Sequence, residues 1–135
     1  MSAARFNSSE SERWLEFARD DLAYGESGMA DHPRPAAWSF QQAGEKSLKA
    51  VFLRRGLKVP RTHDVAFLLS VLAESIAVAP VVSAAALALA AIAPASRYPD
   101  DLMEISQNDA VELARASRLL FDWARNQCGP SQPSQ

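Results

Sequence analysis

The stretch KVPRTHDV, residues 58–65, holds one of only two histidines in the chain. Imidazole is the side chain whose ordinary charge change lies nearest neutral pH, so His63 is the first residue to weigh for proton transfer or ligand contact. Upstream, Gln42, Glu45, Lys46 and Lys49 stand at i, i+3, i+4 and i+7, a spacing that puts all four on one helical face. An amide, a carboxylate and two ammonium groups together suit a phosphate-bearing ligand. The same four also suit a solvated face with a Glu45–Lys49 pair worth a few tenths of a kcal/mol. Trp38 and Phe52 border that arc, and a solvated face seldom needs them. The arc is therefore expected to line a polar cleft or a contact between two copies of the chain. Downstream, Arg97, Tyr98 and Asp100 flank Pro99. A guanidinium grips phosphate and a phenol ring stacks on a base; alternatively Tyr98 closes one end of the fold and Arg97 pairs with an acidic helix end. Asp20 and Asp21 read as surface carboxylates, one of them within reach of Lys46 or His63.

The elements that must position these groups are helices. Ser9 followed by Glu12 fits a capping box, so a first helix is expected from about 10 to 29, with Leu15, Ala18, Leu22 and Met29 on one stripe. The turn Asp31-His-Pro-Arg-Pro separates it from a second helix, about 34–55, whose start tolerates Pro33 and Pro35. Ala36, Phe40, Ala43, Ser47, Ala50, Val51 and Arg54 fall within one arc of that helix, and Gly56 is a natural exit. Thr62 is expected to cap a third helix, about 63–77, placing His63 and Asp64 in its first turn. A carboxylate suits that end of a helix and a protonated imidazole does not. His63 is thus expected neutral, donating from one nitrogen and accepting on the other. Pro80 opens a short alanine-rich helix that Pro94 stops. Residues 76–95 are too broken by those prolines to span a bilayer and are expected to be buried instead. A fifth helix, about 108–127, has Ser106 or Asn108 as its cap. The expected layout is a flexible tail over residues 1–8, one helical bundle over 9–128 and a second flexible tail over 129–135. The fold class is all-α, an antiparallel bundle of four long helices and one short one.

Composition narrows the function classes. A chain of 135 residues supports a single core. With 48% apolar and 22% charged residues, the make-up is that of an ordinary soluble domain. A net charge of −2 argues against coating nucleic acid by charge alone. One cysteine, Cys128, forms no intrachain disulfide, and two histidines with one cysteine do not make a structural zinc site. No metal and no cofactor are expected. The polar N-terminus MSAARFNSSESER shows no apolar leader, so the expected compartment is the cytoplasm, with no membrane role.

Three motifs in order carry a family resemblance. The first is Trp14, Leu15, Ala18, Asp20, Asp21 and Leu22. The second is AAWSFQQAGEKSLKAVFLRRG, followed by Thr62-His63-Asp64. The third is Ser96-Arg97-Tyr98-Pro99-Asp100, with serine where the pattern has alanine. Over roughly residues 10–125 the chain resembles the HEPN family (higher eukaryotes and prokaryotes nucleotide-binding domain). The resemblance implies a helical bundle, commonly a homodimer. It also implies a partner, a minimal nucleotidyltransferase, in a two-component arrangement like that of a toxin and its antitoxin. The ligand it implies is a nucleotide or an RNA. On this basis Gln42, Glu45, Lys46, Lys49, His63, Asp64, Arg97 and Tyr98 are the expected ligand-binding residues, and Trp38 and Phe52 the expected interface.

Some members of the family are metal-independent ribonucleases that use Arg, four to six residues, then His. The imidazole moves a proton as a ribose 2′-OH attacks phosphorus, and the guanidinium stabilises the charge that builds there. Counting back from His63, the permitted positions hold Lys58, Leu57 and Gly56. Counting back from His32, they hold Ser27, Glu26 and Gly25. The ribonuclease motif is absent, and a catalytic role, if there is one, falls to His63. The chain is expected to recognise a ligand rather than to cleave one, with a ribonuclease toxin and a purely dimeric interaction module as the alternatives.

Overall fold

The computed structural model describes residues 2–92 and 104–129, with side chains from Ser9 onward. Five helices follow in order: α1 (Ser2–Gly28), α2 (Pro33–Arg54), α3 (Val65–Leu72), α4 (Pro80–Ala90) and α5 (Gln107–Gln127). The fold is all-α, and no strand occurs among the described residues. Arg97, Tyr98 and Asp100 lie outside the described residues.

The bundle is built around α2, which packs against each of the other four helices. Its sequence explains this. Ala36, Ala37, Phe40, Ala43, Leu48, Ala50, Val51 and Phe52 are all buried, so apolar groups cover most of its circumference rather than one stripe. Its most extensive partner is α1, which buries Ser11, Leu15, Ala18, Leu22 and Gly25. Those positions alternate gaps of four and three, the single seam of an amphipathic helix. Gly25 sets the approach: a Cβ there would lie 2.5 Å from Phe40 Cε1. At the same residue of α2, Ser117 Oγ of α5 donates to the Phe40 carbonyl at 2.9 Å; nearby, Arg118 of α5 pairs with Glu26 of α1 at 3.0 Å.

Helix ends follow local chemistry. Gly56 has φ 68°; its N–H donates to the Leu53 carbonyl at 3.1 Å, and that of Leu57 to Phe52 at 2.9 Å. This pair of bonds is the Schellman closure that a left-handed glycine permits. At the start of α5, Ser106 Oγ accepts from Asp109 N–H, and the Asp109 carboxylate accepts from Ser106 N–H, each at 3.0 Å. Two of the backbone donors left open by the helix start are thereby satisfied.

Three local expectations are corrected. α1 begins at Ser2, so Ser9 stands inside the helix and does not cap it. α3 begins at Val65, with Asp64 as its N-cap, its Oδ1 accepting from Phe67 N–H at 3.1 Å. Thr62 Oγ1 instead accepts from Asp64 N–H at 3.1 Å, so the hydroxyl shapes the approach and the carboxylate does the capping. His63 therefore precedes the helix instead of lying in its first turn. Finally, α4 is not enclosed: Val81 and Leu87 are 57% and 64% exposed. No helix among the described residues is long and apolar enough to cross a membrane.

Candidate functional site

Because α2 sits at the centre, part of its polar arc is drawn inside. Glu45 retains only 4% of its surface. A carboxylate so far from water needs donors, and two converge on one oxygen. Lys49 Nζ, one turn along the same helix, lies 2.7 Å from Glu45 Oε2. His63 Nδ1 lies 3.0 Å from the same atom. Oε1 is buried without a hydrogen-bond partner among the described residues. Lys49 Nζ also stands 5.8 Å from the centroid of the Trp14 ring on α1, within cation–π range.

The His63 junction is held from two sides. Its backbone carbonyl accepts from Gln41 Nε2 at 3.0 Å, and Gln41 is itself wholly buried. Gln42 Nε2 in turn donates to Gln41 Oε1 at 2.8 Å. The ring is fixed at Nδ1 while the side chain remains 66% exposed. A proton on Nδ1 satisfies the bond to Glu45, and Nε2, across the ring, takes no part in it. A buried carboxylate that sets the tautomer and direction of an exposed imidazole is an arrangement suited both to ligand contact and to proton transfer.

Lys46 turns the other way and pairs with Asp21 of α1 at 2.7 Å, each about one quarter exposed (28% and 27%). The cluster therefore holds two carboxylates and two ammonium groups, already paired. A phosphate arriving here competes with Asp21 and Glu45 for the lysines. Among the described residues, His63 is the most exposed member of this cluster, its side chain 66% exposed. Among the described residues, no three His, Cys, Asp or Glu side chains are placed to hold a metal ion.

Of the expected site residues, Glu45, Lys49 and His63 come together directly. Gln42 joins them through Gln41, and Lys46 borders them through Asp21 and α1. Asp64 is committed to its helix cap. Trp38 is 36% exposed and remains at the surface. Phe52 is fully buried in the chain's own core, so it cannot serve as an interface residue; at three positions beyond Lys49 it falls where α2 turns inward. Sequence reasoning missed Gln41 as a site residue. Its position four residues before Glu45, and so one turn away on the same side, was the available signal.

The HEPN domain family model matches this chain over residues 11–127. Among solved structures, TT1696 from Thermus thermophilus superposes with a TM-score of 0.79 at 26% identity, covering 87% of this chain and 97% of that one. The archaeal HEPN homologue ST0689 gives 0.74 at 23% identity, covering 88% and 98%. An HEPN domain protein of Thermotoga maritima, tm0613, gives 0.58 at 24% identity, covering 90% and 95%. None of the curated proteins matches the chain.

Proposed function

Because this chain belongs to the HEPN domain family, whose pattern it carries over residues 11–127, we propose that it is a nucleotide- or RNA-binding member. In this proposal it acts as a homodimer beside a small nucleotidyltransferase in a toxin–antitoxin-like pair. One observation carries the ligand part: His63 is exposed, yet its ring is fixed through Nδ1 by the buried Glu45 at 3.0 Å. Ordering a surface imidazole costs side-chain entropy, and a purely structural corner gains little from doing so. His63 Nε2 accepts from a base or ribose donor. Lys49 and Lys46 stand close behind to exchange their carboxylates for a phosphate, a swap that costs less at their partly exposed positions than in a dry core.

Calorimetry with nucleotides and short single-stranded RNAs tests this. Binding that weakens about tenfold in His63→Ala, a loss at the upper end of what one neutral hydrogen bond contributes, supports it. Absence of binding, or binding indifferent to both His63→Ala and Lys46→Ala, sinks it. The partner part is tested by co-expression with the neighbouring reading frame and co-elution of a nucleotidyltransferase.

The same carboxylate–imidazole pair favours a second proposal, metal-independent ribonuclease activity with His63 as proton acceptor. Incubation with cellular RNA decides it. Cleavage that disappears in His63→Ala supports it, and intact RNA with the wild-type chain removes it.

A further inference from the structure

Between Glu45 and Asp64 the chain has six lysines and arginines and no acid, although its net charge is −2. Lys46 and Lys49 are paired with Asp21 and Glu45. Among the described residues, Arg54, Arg55, Lys58 and Arg61 form no ion pair, and the last three are exposed. The negative end of the α2 dipole accounts for Arg54 and Arg55. It does not account for Lys58 and Arg61, which lie beyond the helix.

Their placement follows from His63. Its ring and its carbonyl are held by Glu45 and Gln41, which stand about 14–20 Å before the end of α2 at a rise of about 1.5 Å per residue. Residues 56–63 therefore run back beside α2 over that distance, carrying Lys58 and Arg61. On the other side of the polar arc, α1 brings Trp14 to Lys49. Phe17 sits edge-on to Trp14, ring centroids 5.8 Å apart, and is 42% exposed. The arc is thus flanked by a line of unpaired cations on one side and an exposed aromatic ring on the other.

We propose that residues 55–63 form a track for a single strand of RNA. Arg55, Lys58 and Arg61 take successive phosphates, and Phe17, backed by Trp14, stacks a base. A mononucleotide carries its phosphate at one place and cannot meet cations spread along the connector, whereas a strand repeats it. A stacking ring needs an unpaired base, which a strand offers and a duplex does not. Two of the three cations are guanidiniums, whose fork suits phosphate oxygens. No carboxylate has to be displaced at these positions, unlike at Lys46 and Lys49. This rests on the ligand part of the function proposed above and narrows it: the ligand is a strand, and the connector holds its further phosphates.

Fluorescence anisotropy of a labelled oligoadenylate of about 12 nucleotides, added to the full chain, tests it. Across about 50–200 mM salt, the log of the association constant is expected to fall against log salt with a slope of about −2, three phosphate contacts at about −0.7 each. Arg55→Ala, Lys58→Ala and Arg61→Ala each make that slope shallower by about 0.7 and weaken binding about fivefold at about 0.1 M salt. Phe17→Ala weakens binding about fivefold or more and leaves the slope unchanged. All four side chains are exposed, so the variants keep the wild-type melting temperature; Lys58→Gln and Phe17→Leu ask the same questions should a variant fail to fold. Adenosine monophosphate bound through His63, with no gain for the strand, overturns the track and leaves the ligand site standing. Absence of binding to either overturns both. Strand binding that ignores salt, or that is indifferent to all three cation substitutions, overturns the track alone. So does a duplex RNA or a polyglutamate that binds as tightly as the strand, the latter giving these cations to an acidic protein.

Discussion

Glu45 takes on its meaning from what surrounds it. On an exposed helix its pairing with Lys49 is worth a few tenths of a kcal/mol. At 4% exposure the same pair becomes a matter of leaving or not leaving a charge stranded. Lys49→Met removes the nearer of the two donors and leaves His63 alone on a buried carboxylate. The expected loss in denaturant unfolding is about 2 kcal/mol, below the full cost of splitting a dry pair because Lys49 is 20% exposed. Arg115→Ala breaks a pair more than 70% exposed on each side and is expected to cost about 0.5 kcal/mol or less. Equal losses in the two variants contradict this account. Cys128 behaves differently again. Burial pushes its thiol from 9.0 up to about 11, against the smaller opposing effects of Arg54, a hydrogen bond from Ser11 and Arg55. A raised folded value favours the protonated thiol, so the stability it contributes is complete below pH 9 and is lost as pH rises through about 11. The native chain is accordingly expected to resist iodoacetamide at pH 8 and to react on addition of denaturant. Alkylation at the same rate in both conditions contradicts it.

At the scale of elements, two glycines on the core helices separate space from propensity. Gly→Ala inside a helix gains about 1 kcal/mol from backbone entropy. At Gly25 the added methyl meets the Phe40 ring at 2.5 Å, and that ring is wholly buried, so α1 and α2 must part. Gly25→Ala is expected to destabilise by about 1–2 kcal/mol net. At Gly44 the nearest atom is Leu89 Cδ1 at 2.8 Å, the tip of a side chain that has other rotamers. Gly44→Ala is expected within about 0.5 kcal/mol of wild type, the propensity gain offsetting the repacking. Thermal melts of the two variants check the contrast, and a reversed order refutes it. The helix starts show how near-equivalent residues compete locally. Thr62 and Asp64 are both good caps, and the choice of Asp64 moves His63 out of α3 and into the junction where Gln41 holds its carbonyl.

For the whole molecule, the difference between Trp38 and Phe52 shows where the core ends. Both border the polar arc in the sequence, yet Trp38 is 36% exposed and Phe52 is fully enclosed. Phe52→Ala is expected to cost about 3–5 kcal/mol, and Trp38→Ala about 1 kcal/mol or less. Urea titrations decide it, and comparable losses show that the two residues share an environment after all. Helix order, the proline starts, the glycine exit at Gly56 and the seam of α1 were legible in the sequence, because each depends on backbone preference or on period within one segment. So was the pairing of Glu45 with Lys49 on its own helix; the choice of Asp21 over Asp20, and of Lys46 over His63 as its partner, was not, because matching charge fits every combination. What only the tertiary structure decided is how much water each of these groups keeps. Packing on all sides of α2 turned Glu45 and Gln41 inward, closed Phe52 into the core, left α4 half bare and turned His63 from a first-turn residue into an exposed ring held by a buried acid. Burial depends on elements distant in the chain, and no local spacing encodes it.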